Sequence, residues 1–492
     1  MEMQKLWPLA AILVVLLAIG VLKNQKPTRR RLSEQAGLKS LSPANFLVSD
    51  IERVTITMAG KEKPAVALKR LNDKDWTVES LYEVPADTLK VEGFIEKLKK
   101  LEGEFRAKKK EVIKDFALDD KQAKRLVCYK KSESKPYLTI LIGKKASSKE
   151  TFVRLPGNDT VYSVAVNFRS ELGIFGDDEQ KAPEGKHFMK KRFVTVDGPK
   201  VTQLTMFYPN KELRFEKREK PKASIDESKM TTAEIEAHKN KPAEFQWHLV
   251  EGPKAMGFKE DGLKEAIKSF DSLDAEGAMD PTTPSKWGLD NPGYKAEITL
   301  EDSKKIVLFA HKTESEAYVR LDGKPHIYKV SSWNFDKAFP KGSKLFTMPT
   351  VSIKHDDLAK IAVTKGESHF VIERKDVAGT KKWVLTEPLV VEAEESKLSD
   401  IGWGVSGISL DDYADMHDPR ALGLMPPVGT ITYTLNSGES KTIKVGNVTA
   451  DGGGRLVQLP SQKGAFVVTK YNIDRAFKSI DDIKKAKTEE PK

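Results

Sequence analysis

From about residue 45 onward the chain switches three times between two hydrophobic periods, strict alternation and a spacing of three and four. Alternating runs such as Ala296-Glu297-Ile298-Thr299-Leu300 and Thr430-Ile431-Thr432-Tyr433-Thr434 predict half-buried strands. Helix-spaced sets lie between the strand patterns: Leu89, Phe94, Ile95, Leu98 and Leu101; then Leu263, Ile267, Phe270 and Leu273; then Leu398, Ile401, Val405 and Ile408. In the third set Gly402, Gly404 and Gly407 weaken the helix.

Landmarks recur around these helices in a constant order. A tryptophan follows a short strand pattern at Trp76, Trp247 and Trp383, and each precedes a proline, Pro85, Pro253 and Pro388. After the helix come Asp115-Phe116-Ala117-Leu118, Trp287-Gly288-Leu289-Asp290-Asn291-Pro292 and Ala421-Leu422-Gly423-Leu424. Each copy closes with two strands, such as Tyr318-Val319-Arg320-Leu321 and Ile327-Tyr328-Lys329-Val330, joined by a turn-forming segment. About 81–86 residues separate the tryptophan from the aromatic of the last strand in all three copies, which points to duplication.

The predicted fold class is therefore α+β: an N-terminal transmembrane helix followed by three divergent repeats, each a mainly antiparallel sheet packed with a helix. The expected layout is a membrane anchor and basic flank over 1–31, repeat modules over 45–175, 190–340 and 350–480, and a charged tail over 481–492. The second module carries a Lys- and Glu-rich insertion at about 217–242.

The anchor is read from Leu6 to Leu22, an uncharged run at the short end of what a bilayer core requires. It lacks a small-x-small cleavage site, so a retained signal-anchor is expected over a cleaved signal. Its basic flank, including Arg29, Arg30 and Arg31, could lie on anionic lipid headgroups. The bulk is expected on the extracytoplasmic, periplasmic side, although basic residues follow the apolar run and leave the topology open.

Composition narrows the chemistry. At 492 residues the chain exceeds one hydrophobic core, and its single cysteine, Cys128, excludes a disulfide framework and multi-thiolate metal sites. The formal charge of +11 is unevenly placed, with six basic residues against Glu2 up to Arg31 leaving the body only mildly basic, and acidic residues interleave with the remaining lysine runs, so nucleic acid is not an expected partner.

The short anchor with Lys26-Pro27-Thr28 after it, the Trp76-to-Asp87 element and the Trp287-to-Pro292 element together resemble the bacterial domain-of-unknown-function family numbered 4340. The resemblance implies an envelope protein associated with gliding-motility-type ABC transporter components, hence an extracytoplasmic accessory role beside an ABC-type permease.

No phosphate-binding loop, zinc-protease motif or nucleophile elbow is present in the sequence. Gly452-Gly453-Gly454 reads as a hairpin turn. The run Asp411-Asp412-Tyr413-Ala414-Asp415-Met416-His417-Asp418 crowds carboxylates with an imidazole but lacks calcium-loop spacing. His355-Asp356 and His417-Asp418 read as solvated pairs, and the landmark tryptophans as core. No catalytic, cofactor-binding or metal-binding residue is assigned and no cofactor is expected. The expectation is a non-catalytic envelope scaffold; the alternatives are an envelope hydrolase acting on polysaccharide or peptidoglycan, and a small-ligand or lipid-binding module.

Overall fold

The computed structural model describes residues 37–484, leaving out 132, 177, 222–229, 233–235, 237–239, 241–242, 389–392 and 463. The chain divides into two compact units, 1–190 and 191–492. The first holds one antiparallel sheet of ten strands, and the second holds two antiparallel sheets of eight strands each.

These sheets share one strand order. In the second sheet the order in space is Phe245–Glu251, Lys211–Glu219, Val201–Tyr208, Tyr294–Leu300, Lys305–Lys312, Ala317–Leu321, Ile327–Val330 and Ala275–Met279. The third sheet repeats it from Thr380–Glu387 at one edge to Leu410–Ala414 at the other. The first sheet follows the same path from Trp76–Val78 to Glu102–Lys108, and then adds Val84–Pro85 and Lys39–Ser40 outside its two edges. In each copy a twelve-residue helix (Thr88–Lys99, Glu260–Asp271, Glu395–Ser406) links the strand at one edge to the strand on the opposite side.

The helices bury the faces that their periodicity marks, with two differences. In the first helix Leu89 is 85% exposed, and Val91 lies on the buried face instead. In the third helix the glycines serve close packing: a Cβ on Gly404 would lie 2.6 Å from the backbone nitrogen of Ala476, and one on Gly402 would meet the Trp383 indole. Loss of helix propensity there is the cost of bringing Lys470–Ala476 and the Trp383 strand against the helix.

Two features common to the copies depend on strand register rather than sequence spacing. A basic residue sits directly across from each landmark tryptophan: Arg70 opposite Trp76, Lys217 opposite Trp247, and Arg374 opposite Trp383. Each donates to a carbonyl of the short 3-10 turn that opens its module. Arg70 Nη2 reaches Val48 O at 3.0 Å, Lys217 Nζ reaches Pro199 O at 2.6 Å, and Arg374 Nη1 reaches His355 O at 3.4 Å. The three tryptophans are buried; Arg70 and Arg374 lie 4.6 Å and 5.8 Å from the ring centroids of Trp76 and Trp383, whereas Lys217 lies over Phe245 at 5.3 Å.

The landmark after the helix is a left-handed residue followed by a buried leucine. Gly288 (φ 68°) precedes Leu289 and Gly423 (φ 67°) precedes Leu424, whereas the first copy places Ala117 at φ 53° before Leu118. Glycine takes that conformation freely, and alanine is strained in it.

The expected α+β class with an N-terminal transmembrane helix is corrected by this architecture. Three large antiparallel sheets dominate, and no helix among the described residues is long and apolar enough to cross a membrane. The longest described helices have twelve residues, about 18 Å of rise, and each keeps a charged face. The expected anchor at Leu6–Leu22, the flank at Arg29–Arg31 and most of the charged tail lie outside the described residues. Among the described residues, no element supplies the expected membrane span.

Replacing Ala117 by glycine is expected to raise the stability of the first unit by about 0.5–1 kcal/mol, since relief of the left-handed strain exceeds the added entropy of the unfolded chain. Denaturant titration of the variant against the parent chain checks the sign.

Candidate functional site

A fully buried lysine lies where the second and third sheets meet. One hydrophobic cluster runs through both, from Leu204 and Phe270 to Ile361 and Phe466, so the two sheets share a core. One ion pair crosses that shared interior, and a second, partly exposed pair lies beside it.

Tyr208-Pro209-Asn210-Lys211 turns the chain between two strands of the second sheet. A lysine after such a turn is expected in solvent, but here its side chain is fully buried. Lys211 Nζ donates to Asp412 Oδ1, on the far-edge strand of the third sheet, and lies 4.6 Å and 4.7 Å from the ring centroids of Tyr208 and Tyr413. Asp412 Oδ1 also accepts from Gly342 N at 2.7 Å and Tyr413 N at 2.8 Å. Burial pulls the Lys211 pKa below its usual value, partly countered by the Asp412 carboxylate.

Neighbouring contacts repeat the arrangement. Lys341 Nζ pairs with Asp411, Ser343 Oγ donates to the same carboxylate at 3.3 Å, and Asp415 N donates to Asn210 O at 3.0 Å. Thus the acidic run 411–418 is engaged by lysines and backbone groups of the second module. Asp418 accepts from Arg420 N and Ala421 N, holding the turn before Gly423. No group of three or more His, Cys, Asp or Glu among the described residues is placed to hold a metal ion.

A cleft of about 270 Å³ opens beside this junction, lined by Tyr208, Tyr294, Lys312, Asp336, Lys341, Asp412 and Asp451 among others. Lys312 pairs with Asp336. Asp451, in the glycine-rich turn, accepts from Thr449 Oγ1 at 2.6 Å and Gly453 N at 3.1 Å. Burial raises the Asp451 pKa, but these hydrogen bonds and the charges of Lys312 and Lys341 outweigh it, so the carboxyl is held below its ordinary value. A carboxylate held ionised suits a structural turn, whereas a general acid requires the opposite shift.

The other side chains singled out in the sequence have structural surroundings. Cys128 is buried, and burial pushes its thiol up to about 12, leaving it unreactive near neutrality. His355 stacks on Trp403 with ring centroids 3.9 Å apart, and burial lowers its pKa. Lys211 was missed because its only sequence signal is a lysine behind a Pro-Asn turn, which ordinarily denotes exposure.

The site and topology define a class: a repeat protein of large antiparallel sheets, each with one connecting helix, whose second and third sheets are joined by a buried ion pair. Residues 76–292 match the model of the family described as Domain of unknown function (DUF4340), and the chain resembles that family over this range. The match starts at the first landmark tryptophan and ends at the proline of Trp287-to-Pro292, a narrower range than the motifs suggest. No curated protein and no solved structure matches the chain.

Removing one member of the buried pair, as in Lys211→Ala or Asp412→Ala, should cost about 3–5 kcal/mol, because an uncompensated charge or carboxylate remains inside. The double variant K211M/D412L should recover much of that loss, read from the denaturant midpoints of the four chains. For Asp451 the depressed folded pKa means its stabilisation is present above the unfolded value of 3.8 and is lost as pH falls through the folded value. Asp451→Asn should flatten the acid limb of the stability profile in that window while lowering stability at neutral pH.

Proposed function

We propose that this chain is a non-catalytic scaffold, an accessory protein of the bacterial cell envelope that offers its sheets to a protein partner of the ABC-type permease class. The observation that carries the reading is the lock between the second and third sheets. Lys211 and Lys341 are spent on Asp412 and Asp411, making one body of two modules. Burying charge in this way costs free energy unless geometry is well satisfied, and fixed relative placement of two modules is what such a pair supplies. A scaffold needs that rigidity, since ordering two loosely tethered modules on binding would subtract from affinity. The transporter association rests on the family resemblance.

Chemical crosslinking in cells followed by purification of the chain should recover a permease subunit of an ABC-type system. Recovery should fall in Lys211→Ala, whose junction is loosened. If the purified chain instead hydrolyses peptidoglycan or envelope polysaccharide, and no permease is recovered, the scaffold reading is replaced by the hydrolase.

A further inference from the structure

The first unit contains a second cleft, of about 680 Å³, that the scaffold reading does not use. It lies where the strand Thr151–Arg154 ends, between the turn Pro156–Asp159 and the short 3-10 helix Lys110–Phe116. Arg154 lines it. This side chain belongs to a residue only 9% exposed, and its recorded partners among the described residues are carbonyls rather than carboxylates.

Two of its five N–H groups are used, both on carbonyls: Nη2 donates to Leu118 O at 3.0 Å and Nη1 to Asn158 O at 3.4 Å. Its Nε is buried without a partner. Neutral carbonyls offset only part of the desolvation of a guanidinium, so a buried cation held this way is incomplete without an anion. The remaining donors form the planar fork that fits a carboxylate.

The surroundings narrow the ligand. Lys110, Lys114 and Arg125 line the cleft without ion-pair partners among the described residues, and Glu111, Asp119, Asp120 and Asp159 line it as well. Bases and acids are thus equal in number, four of each once Arg154 is included, which disfavours a multiply charged anion and suits a ligand bearing both signs. Ile113, Leu141 and Pro156 add apolar wall. The volume exceeds that of a single amino acid and accommodates a short peptide.

We propose that this cleft binds the carboxyl end of a short peptide, with Arg154 receiving the terminal carboxylate and the acidic rim facing its amino end. The Asn158 carbonyl holds the guanidinium on one side, and Gly157 of the same turn lines the cleft. The third module has Gln458 at the corresponding position, and the second has Arg320, which lies over Phe309 at 5.6 Å. The site therefore belongs to the first module.

Calorimetric titration of the full chain with trialanine, and separately with its C-terminal amide, tests the assignment. Trialanine should bind saturably, and the amide should bind at least about tenfold more weakly, the discrimination expected when a charged hydrogen-bond partner is removed. Arg154→Met should lose the same factor for trialanine and show no preference between the two peptides. If Arg154→Met fails to fold, Arg154→Lys, which keeps the charge and loses the fork, should bind trialanine more weakly with circular dichroism unchanged. Equal binding of peptide and amide, absence of trialanine binding at millimolar concentration, or unaltered binding by the folded arginine variant would overturn the proposal.

Discussion

The buried ion pair of Lys211 and Asp412 is the constraint on which the second unit is organised. A charged pair inside a protein is tolerable only when each lone pair and each proton finds a partner. Here the carboxylate takes the ammonium and two backbone N–H groups, while the ammonium is flanked by two tyrosine rings. These demands fix the Tyr208–Lys211 turn, the backbone at Gly342 and the edge strand Leu410–Ala414 together. A Cβ at position 342 would fall 2.6 Å from the Asp412 carboxylate, so that residue must be glycine for the contact to close. The shared core and the small polar cleft follow from that alignment.

The three sheets show which features duplication keeps. Strand order is retained throughout, as are the tryptophan, the cation opposite it and the left-handed residue before a buried leucine. All are backbone or core requirements. Polar surroundings have diverged: the arginine at the end of one strand is desolvated in the first module, lies over an aromatic ring in the second and is glutamine in the third. Edges have diverged also. Val84–Pro85 and Lys39–Ser40 cover the two edges of the first sheet, while among the described residues the second and third sheets end on Phe245–Glu251, Ala275–Met279, Thr380–Glu387 and Leu410–Ala414.

Much of this fold is legible in the residues themselves. Leu263, Ile267, Phe270 and Leu273 mark the buried face of a helix because periodicity is a local property. The tryptophan landmarks and the glycine-leucine turns recur at similar spacing because they answer to local backbone geometry and core shape. Leu89 fits the helical spacing equally well and lies in solvent, since spacing alone cannot tell which neighbour covers a given face.

What only the tertiary structure decided is the pairing of polar groups distant in the chain. Lys211 and Asp412 are 201 residues apart, and their meeting depends on how two sheets dock, which no local pattern encodes. The same holds for the cations opposite the tryptophans, because hairpin length varies while strand register does not. The acidic run at 411–418 looks like a ligand cluster when read along the chain and is a set of anchors in space. Hydrophobic periodicity is written residue by residue and survives as sequence; electrostatic partnership is a property of the folded surface, and there the protein's charges acquire their roles.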